Sequence, residues 1–330
     1  MDHAPFMHRC LALAEKGRGH VGNGAFVGAV LVREGNILAE GYHMGWGNKH
    51  AERILLENFD QELYSTDTLY VNLEPCCHHG KTPPCTDIIL EKGIRRVVYG
   101  MQDPDPRVAG SGIARLHLAG VEIIGPVERS RSEWLNRGFV NLRKHGRPWI
   151  TQKIAKTKDG KIAHPDGSPL KITSESQDIW THTFLRARHD AILVGVQTVV
   201  HDNPILNTRL VQVSADQKAI PDPYRLILDP HLRIPSDARI LCDDHSNRTM
   251  MITWQDADQK RMKELRARDI RIIALPRRSD SLICPELWRE LLTPDGEFYG
   301  ITSILVEGGE KTWNAFRKEG CVDEEVSLMG

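Results

Sequence analysis

The residues best suited to chemistry lie between positions 50 and 85. They are His50-Ala51-Glu52, then Glu74-Pro75-Cys76-Cys77-His78-His79-Gly80-Lys81-Thr82-Pro83-Pro84-Cys85. One His and two Cys supply three ligands, the number a catalytic zinc uses when its fourth position is kept for water. Zinc lowers the pKa of that water towards neutrality, so a nucleophile forms at ordinary pH. Glu52 is not needed as a ligand and is free to move the water proton. His50, Cys76 and Cys85 are therefore the candidate metal ligands, and Glu52 the candidate catalytic acid/base. Pro75 favours Cys76 over the adjacent Cys77, because it fixes the chain where a strand hands its end to the metal. The competing readings are a closed clip of Cys76, Cys77, Cys85 and one of His78 or His79, and cysteines that are merely small buried hydrophobes. A free Glu beside the His argues against the first, and the clustering against the second.

Positioning these groups takes a strand that ends at the cysteines and helices that open near His50 and Cys85, where helix N-termini favour an ionised thiolate. The pattern predicts a helix over 6–14, a hairpin of strands 27–32 and 37–42, a helix over 50–58 and a strand over 68–73. A helix over 86–92, a strand over 95–99, a helix over 112–118 and a strand over 121–124 follow. A mixed sheet with helices on its faces is the expected layering. The polar stretch 141–148 reads as a linker, dividing the chain into 1–146 and 147–330. Beyond it the alternation restarts, with strands at 149–154, 191–196, 225–228, 249–253, 270–274 and 302–306. Helices are expected at 176–188, 256–268 and 310–318.

The 330 residues suit two domains. A 40% apolar and 26% charged composition is that of a soluble globular protein, and a net charge of −1 gives no basic surface for nucleic acid. Seven cysteines, only three of them clustered, with no apolar leader, favour a metal in a reducing compartment over disulfides. A cytoplasmic enzyme without a membrane span is the expectation, with a homo-oligomer left open.

The pattern H-x-E followed by P-C and a second Cys marks the zinc nucleobase deaminases, although two residues usually separate the cysteines there and residues 77–84 do so here. With that insert, residues 73–85 resemble the deaminase half of the bifunctional riboflavin-biosynthesis deaminase/reductase family, in which HHG[RK]TPPC separates the ligands. Residues 101–106 and 108–112, Val27-Gly28 and Gly41-Tyr42-His43 fit the same pattern. The resemblance implies a cytidine-deaminase-like first domain and places His78 and Lys81 against a phosphorylated pyrimidine, where Lys suits a phosphomonoester as a point charge.

No Gly-rich dinucleotide fingerprint opens the second half. Residues 185–195, 198–209 and Val306-Glu307-Gly308-Gly309 instead resemble the reductase half of the same family, which has a dihydrofolate-reductase-like α/β fold and uses NADPH. The resemblance implies that Arg186, Asp202, Leu206, Arg209 and Glu307 meet the ribose phosphate. It also implies that Ala155, Thr198, Asp202, Gly309, Glu310, Lys311 and Thr312 line the cofactor site, with Asp202 catalytic. Arg suits a phosphate, and a strand-to-helix turn at 307–310 offers free N–H groups to a cofactor phosphate. Taken singly these residues read as an ordinary turn, loop or solvent-facing Arg; their order gives them meaning.

The chain departs from the family at Asn23-Gly24-Ala25-Phe26 in place of P-N-P-x before Val27-Gly28, and at Asp105, where Asn is frequent. It departs again at Pro169-Leu170-Lys171, in place of S-x-W, and at Pro230 in place of Ser. It also ends at Gly330, soon after residues 322–326, where relatives continue into further strands, so an open sheet edge is expected there. The full reading is deamination followed by NADPH-dependent reduction in riboflavin biosynthesis. The alternatives are a zinc deaminase of another base or nucleotide with a non-catalytic reductase-like domain, and a deaminase-like module that binds tRNA or DNA.

Overall fold

The structure, a computed structural model, describes residues 2–161, 170–211 and 221–330. The chain forms two compact units: Met1–Gly146 with the segment Gly296–Tyr299, and Arg147–Asp295 with Gly300–Gly330. Among the described residues no helix is long and apolar enough to cross a membrane.

The first unit is built on a five-stranded sheet of β1 (Gly28–Arg33), β2 (Asn36–Tyr42), β3 (Thr68–Leu73), β4 (Arg96–Met101) and β5 (Glu122–Ile124) in the order β2-β1-β3-β4-β5. β1 runs antiparallel to β2 and β3, while β3, β4 and β5 are parallel. The period of two sorts the side chains. Ala29, Leu31, Leu69, Val71, Val97 and Tyr99 enter one core, and Val30, Val32, Tyr70 and Val98 enter the core on the opposite face. The helix Ala4–Ala14 covers the second face with Met7, Cys10 and Leu13, and the helix Ala51–Asn58 covers the first with Ala51, Leu55 and Leu56. β3 is buried along its whole length, with Leu69 and Val71 on one face, Tyr70 on the other and a buried Asn72 near its end.

The expected linker at 141–148 is corrected at its start. Residues 141–145 are the last turn of the helix Arg137–His145, which follows the helix Arg129–Leu135. The run of Arg143, Lys144 and His145 that suggested a linker suits a helix C-terminus, where cations meet the dipole, and Gly146 closes it at φ 66°.

Among the described residues the second unit carries seven parallel strands: β6 (Trp149–Lys156), β7 (Ala191–Gly195), β8 (Tyr224–Leu228), β9 (Thr249–Trp254), β10 (Arg271–Leu275), β11 (Ser303–Val306) and β12 (Glu324–Met329). Their order is β10-β9-β8-β7-β11-β6-β12. β12 is the outermost strand of that order, so among the described residues its outer side is the open edge expected beside residues 322–326, while β6 is covered. β12 pairs with β6 in parallel from Glu324 opposite Thr151 to Met329 opposite Lys156. Asp323 starts it by accepting from the Ile150 N–H at 2.8 Å and from the Arg147 guanidinium at 2.6 and 2.8 Å. Two leading Glu residues conceal this strand from propensity. The helix expected over 176–188 is one helical run of changing pitch: α over Glu175–Trp180, π over Thr181–Leu185 and 3-10 over Arg186–Arg188. The helices Val196–Asp202 and Pro285–Leu292 were not anticipated.

Candidate functional site

His50 is the N-cap of the helix Ala51–Asn58, in extended backbone, and Cys85 is the first residue of the helix Cys85–Glu91. Cys76 follows the carboxyl end of β3. The three ligand atoms lie within 4.8 Å of one another. His50 Nδ1 stands 3.3 Å from Cys85 Sγ and 3.5 Å from Cys76 Sγ, and the Cys85 N–H donates to Cys76 Sγ at 3.3 Å. A tetrahedral zinc with ordinary Zn–N and Zn–S bonds needs N···S separations of about 3.5 Å, so the donor set and its spacing fit the ion. Cys77 is half-buried and lies outside the cluster.

The electrostatics are those of a ligand set waiting to lose protons. Hydrogen bonding from Cys85 and then from His50 brings the Cys76 thiol down to about 4 against the effect of burial. The same contact with Cys76, together with burial, pushes Cys85 up. A metal that displaces the remaining proton would meet two thiolates. Glu52 is buried at 3% exposure, and that burial raises its carboxyl above the ordinary range, with His50 opposing. A carboxyl so placed binds a proton more readily than an exposed one, as a proton carrier must.

Several surrounding groups escaped the sequence reading. His43 crosses His50 edge-on at 5.6 Å and is hydrogen-bonded through Nδ1 to the Lys49 carbonyl at 3.1 Å. Buried Asn72 accepts from the Gly28 N–H at 2.8 Å and donates to the Phe26 carbonyl at 2.9 Å, and Asn136 brackets Phe26 from the other side. His78 and Lys81 are exposed on the loop between the cysteines, and the Lys81 ammonium sits 4.0 Å from the centre of the Trp46 ring.

In the second unit a cavity of about 390 Å³ gathers residues from β6 and from the segments that follow β6, β7 and β11, three adjacent strands. Ligands in open α/β sheets bind in such crevices at strand carboxyl ends. Ala155, Thr198, Asp202 and Gly309, expected at the cofactor, and Glu307, expected at the ribose phosphate, all line it. Burial raises the Asp202 carboxyl above its ordinary range, with His201 opposing. Gly308 is fixed by packing, since a Cβ there would stand 2.7 Å from Thr312 Cβ, whereas the space beside Gly309 is open. Glu310 and Lys311 are exposed in the first turn of the helix Glu310–Lys318, and Thr312 is buried behind them.

The remaining expected residues lie apart from the cavity lining. The Arg186 guanidinium is engaged by the protein. Nε and Nη2 donate to the two Glu307 oxygens at 2.8 and 2.6 Å, and Nη1 is shared between the Asn207 carbonyl and His182 Nε2. Burial alone would raise Glu307; Arg186 outweighs it and brings the carboxyl down to about 2. Leu206 is buried in the core at φ 54°, and Arg209 is exposed with a bond to Asn207. Lys171 lines the cavity where an aromatic wall is usual, while Pro169 falls outside the described residues. The Pro230 carbonyl accepts from Thr253 Oγ1 at 3.1 Å. Lys153, Gln197, His201 and Trp313 complete a wall that the sequence reading missed. Lys153 could have been found from Ala155, two residues on and therefore on the same strand face.

Comparisons with known proteins divide at the same place. Residues 1–101 match the cytidine and deoxycytidylate deaminase zinc-binding region, and residues 148–329 match the RibD C-terminal domain. The chain is 38% identical over 325 residues to the riboflavin biosynthesis protein RibD of Aquifex aeolicus, covering 98% of this chain and 85% of that protein. It is 37% identical over 309 residues to the protein of that name from Actinobacillus pleuropneumoniae, covering 94% and 78%. Among solved structures, RibD of Acinetobacter baumannii superposes with a TM-score of 0.82 at 28% identity, covering 99% of this chain and 86% of that one. A diaminohydroxyphosphoribosylaminopyrimidine deaminase/5-amino-6-(5-phosphoribosylamino)uracil reductase from Thermotoga maritima superposes with a TM-score of 0.80 at 34% identity, with the same coverage.

Proposed function

The chain belongs to the RibD family, and from that premise we propose that it performs two consecutive steps of riboflavin biosynthesis, one in each unit. Residues 1–146 hydrolyse the exocyclic amine of the diamino-ribosylamino-pyrimidinone 5′-phosphate, releasing ammonia. Residues 147–330 then reduce the ribosyl group to a ribityl chain with NADPH. The observation that carries the reading is the His50, Cys76 and Cys85 cluster with a buried, unliganded Glu52 beside it, in a chain similar to RibD proteins through both halves.

A zinc ion held by His50, Cys76 and Cys85 would supply a water acidified towards neutral pH. Glu52 takes a proton from the attacking water and delivers it first to the ring nitrogen and then to the departing ammonia. Atoms balance: one water enters, one ammonia leaves, and a C–N bond becomes C=O. Burial of Glu52 matches this role, because its raised pKa lets it hold the proton between the two transfers. His78 and Lys81 bind the substrate from the loop between the cysteines, Lys81 facing the phosphate.

In the second unit NADPH, when bound, would supply a hydride to the ribosyl carbon. The open backbone at Gly309 and the start of the helix Glu310–Lys318 suit a cofactor phosphate, and Ala155, Thr198 and Asp202 flank the nicotinamide. Asp202, its pKa raised by burial, supplies the proton that accompanies the hydride. Glu307, kept ionised by Arg186, orients sugar hydroxyls, with Leu206 and Arg209 completing the substrate side.

The test is incubation of the zinc-loaded protein with the diaminopyrimidinone phosphate, with and without NADPH, resolving products by mass. Ammonia release in both arms and a reduced product only with NADPH is the expected result. Deamination without reduction would leave a deaminase with a silent second unit, and the absence of both would overturn the reading.

A further inference from the structure

Glu74 directly follows β3, the strand that delivers Cys76, and it is buried at 5% exposure. Buried carboxylates persist only when their oxygens are satisfied. Main-chain donors satisfy both of these. Oε2 accepts from the N–H groups of Asp103 at 3.2 Å and Gly110 at 2.9 Å, and Oε1 from those of Gly112 at 2.9 Å and Ile113 at 3.3 Å. Three of the four donors are the N-cap and first turn of the helix Ser111–Leu118, whose own N-cap, Gly110, has no side chain to offer. Glu74 therefore caps that helix from a different strand, meeting both the orphan N–H groups and the dipole. Gly112 permits the approach: a Cβ there would stand 1.9 Å from the Pro75 carbonyl oxygen. The helix start is thus pressed against the residue that separates Glu74 from Cys76.

Parallel pairing brings the two segments to one edge of the sheet. Leu73 pairs with Met101, and the Glu74 N–H donates to the Met101 carbonyl at 2.8 Å. Beyond that pair β3 runs on to Cys76, and β4 runs into residues 102–110. That loop therefore borders the metal cradle at the strand carboxyl ends, the side on which ligands enter such sheets. It is internally braced, with the Asp105 N–H on Asp103 Oδ1 at 2.9 Å and the Arg107 N–H on Asp105 Oδ1 at 3.0 Å, so a shift at its ends moves it as a unit.

We infer that Glu74 is a positioning residue for the deaminase reaction, holding the 103–110 loop in register with Cys76 so that the loop forms a wall of the pyrimidine site. This rests on the deaminase reading above. The experiment compares full-length parent, Glu74→Gln and Glu74→Asp. Glu74→Gln keeps the volume but turns one acceptor oxygen into a donor that faces two N–H groups. It should retain the parent's zinc content and its reductase rate on pre-deaminated substrate, which serves as a folding control. The KM for deamination should rise roughly tenfold or more, the scale of one lost hydrogen bond to a charged group, with a much smaller change in kcat. Amide exchange at Gly110, Gly112 and Ile113 should quicken, and Glu74→Asp should recover part of the KM. An unchanged KM with only a smaller active fraction would make Glu74 a purely structural residue, and loss of zinc would make it a support of Cys76; either overturns the inference. Should Glu74→Gln prove insoluble, Glu74→Asp decides by the same KM comparison. A parent that binds zinc but does not deaminate would overturn the deaminase reading instead, and the exchange rates would still test the clamp.

Discussion

Removing the Arg186 guanidinium should cost the second unit far more than an ordinary salt bridge is worth. The pair is bidentate at 2.8 and 2.6 Å, and side-chain exposure is 13% for Arg186 and 8% for Glu307. Arg186→Met leaves Glu307 as a buried charge without its partner, a situation that costs about 3–5 kcal/mol. At roughly 2–4 °C per kcal/mol for a unit of this size, its melting transition should fall by roughly 6–20 °C. The pH dependence gives a second signature. In the parent, Glu307 titrates at about 2, below its ordinary value, so it contributes stability above the unfolded pKa that is lost as pH falls towards 2. In Arg186→Met burial, the largest influence on Glu307, is opposed only by the smaller effects of Lys153 and His182 and raises the folded pKa, so the cost of the substitution should shrink as pH falls from 7 towards 4. Arg186→Met/Glu307→Leu should recover most of the loss, because a well-packed apolar pair can replace a buried ion pair. Urea unfolding of the second unit, followed with zinc content as a control on the first, measures all three. A cost below about 1 kcal/mol, the range of exposed pairs, would show that the Arg186 donors are not committed to Glu307.

Glu52→Gln should keep about one zinc per chain, as expected if all three ligands survive, and lose roughly 10²–10⁴-fold in deamination; loss of zinc would make Glu52 a ligand. Cys77→Ser should bind zinc and deaminate like the parent, whereas Cys76→Ser and Cys85→Ser should do neither, read by metal analysis and ammonia release. Burial, and then Arg186, lower His182 to about 4. As pH falls below the ordinary value the unfolded chain takes up that proton first, so stability should fall between about pH 6.5 and 4. His182→Gln should flatten this slope in urea midpoints recorded against pH, and an unchanged slope would assign the acid sensitivity to another group.

The metal site was readable because its chemistry is compressed into short intervals. His50 and Glu52 are two residues apart on one helix start, and strand β3 announces itself by burial on both faces just before Cys76. What escaped had one of two causes. Some signals were present and went unread: Pro285 at N1, followed by buried Leu287, Trp288 and Leu291, is a legible helix start and apolar stripe. Others were not in the local sequence at all. β12 opens with two Glu residues, disfavoured in strands, and exists because β6 offers it a ladder and Asp323 a starting bond.

The same distinction separates the side chains that could be assigned from those that could not. Residue type alone suits Arg186 to a phosphate and Glu307 to a sugar, and they lie 121 positions apart, so nothing local says that the fold spends one on the other. Glu74 is a stronger case: its four partners lie between 29 and 39 residues away and are all backbone N–H groups, which carry no sequence signature. A carboxylate before a metal ligand reads naturally as a fourth ligand or a base. Only the parallel register of β3 and β4 reveals that its charge is consumed by a helix start. In the second unit Glu307 is thus held by a charge pair made far away in the chain, and Arg186 keeps that buried carboxylate ionised where an isolated one would take up a proton. In the first unit the contact made far away is a charge–dipole one, between Glu74 and the helix start, and it serves position alone.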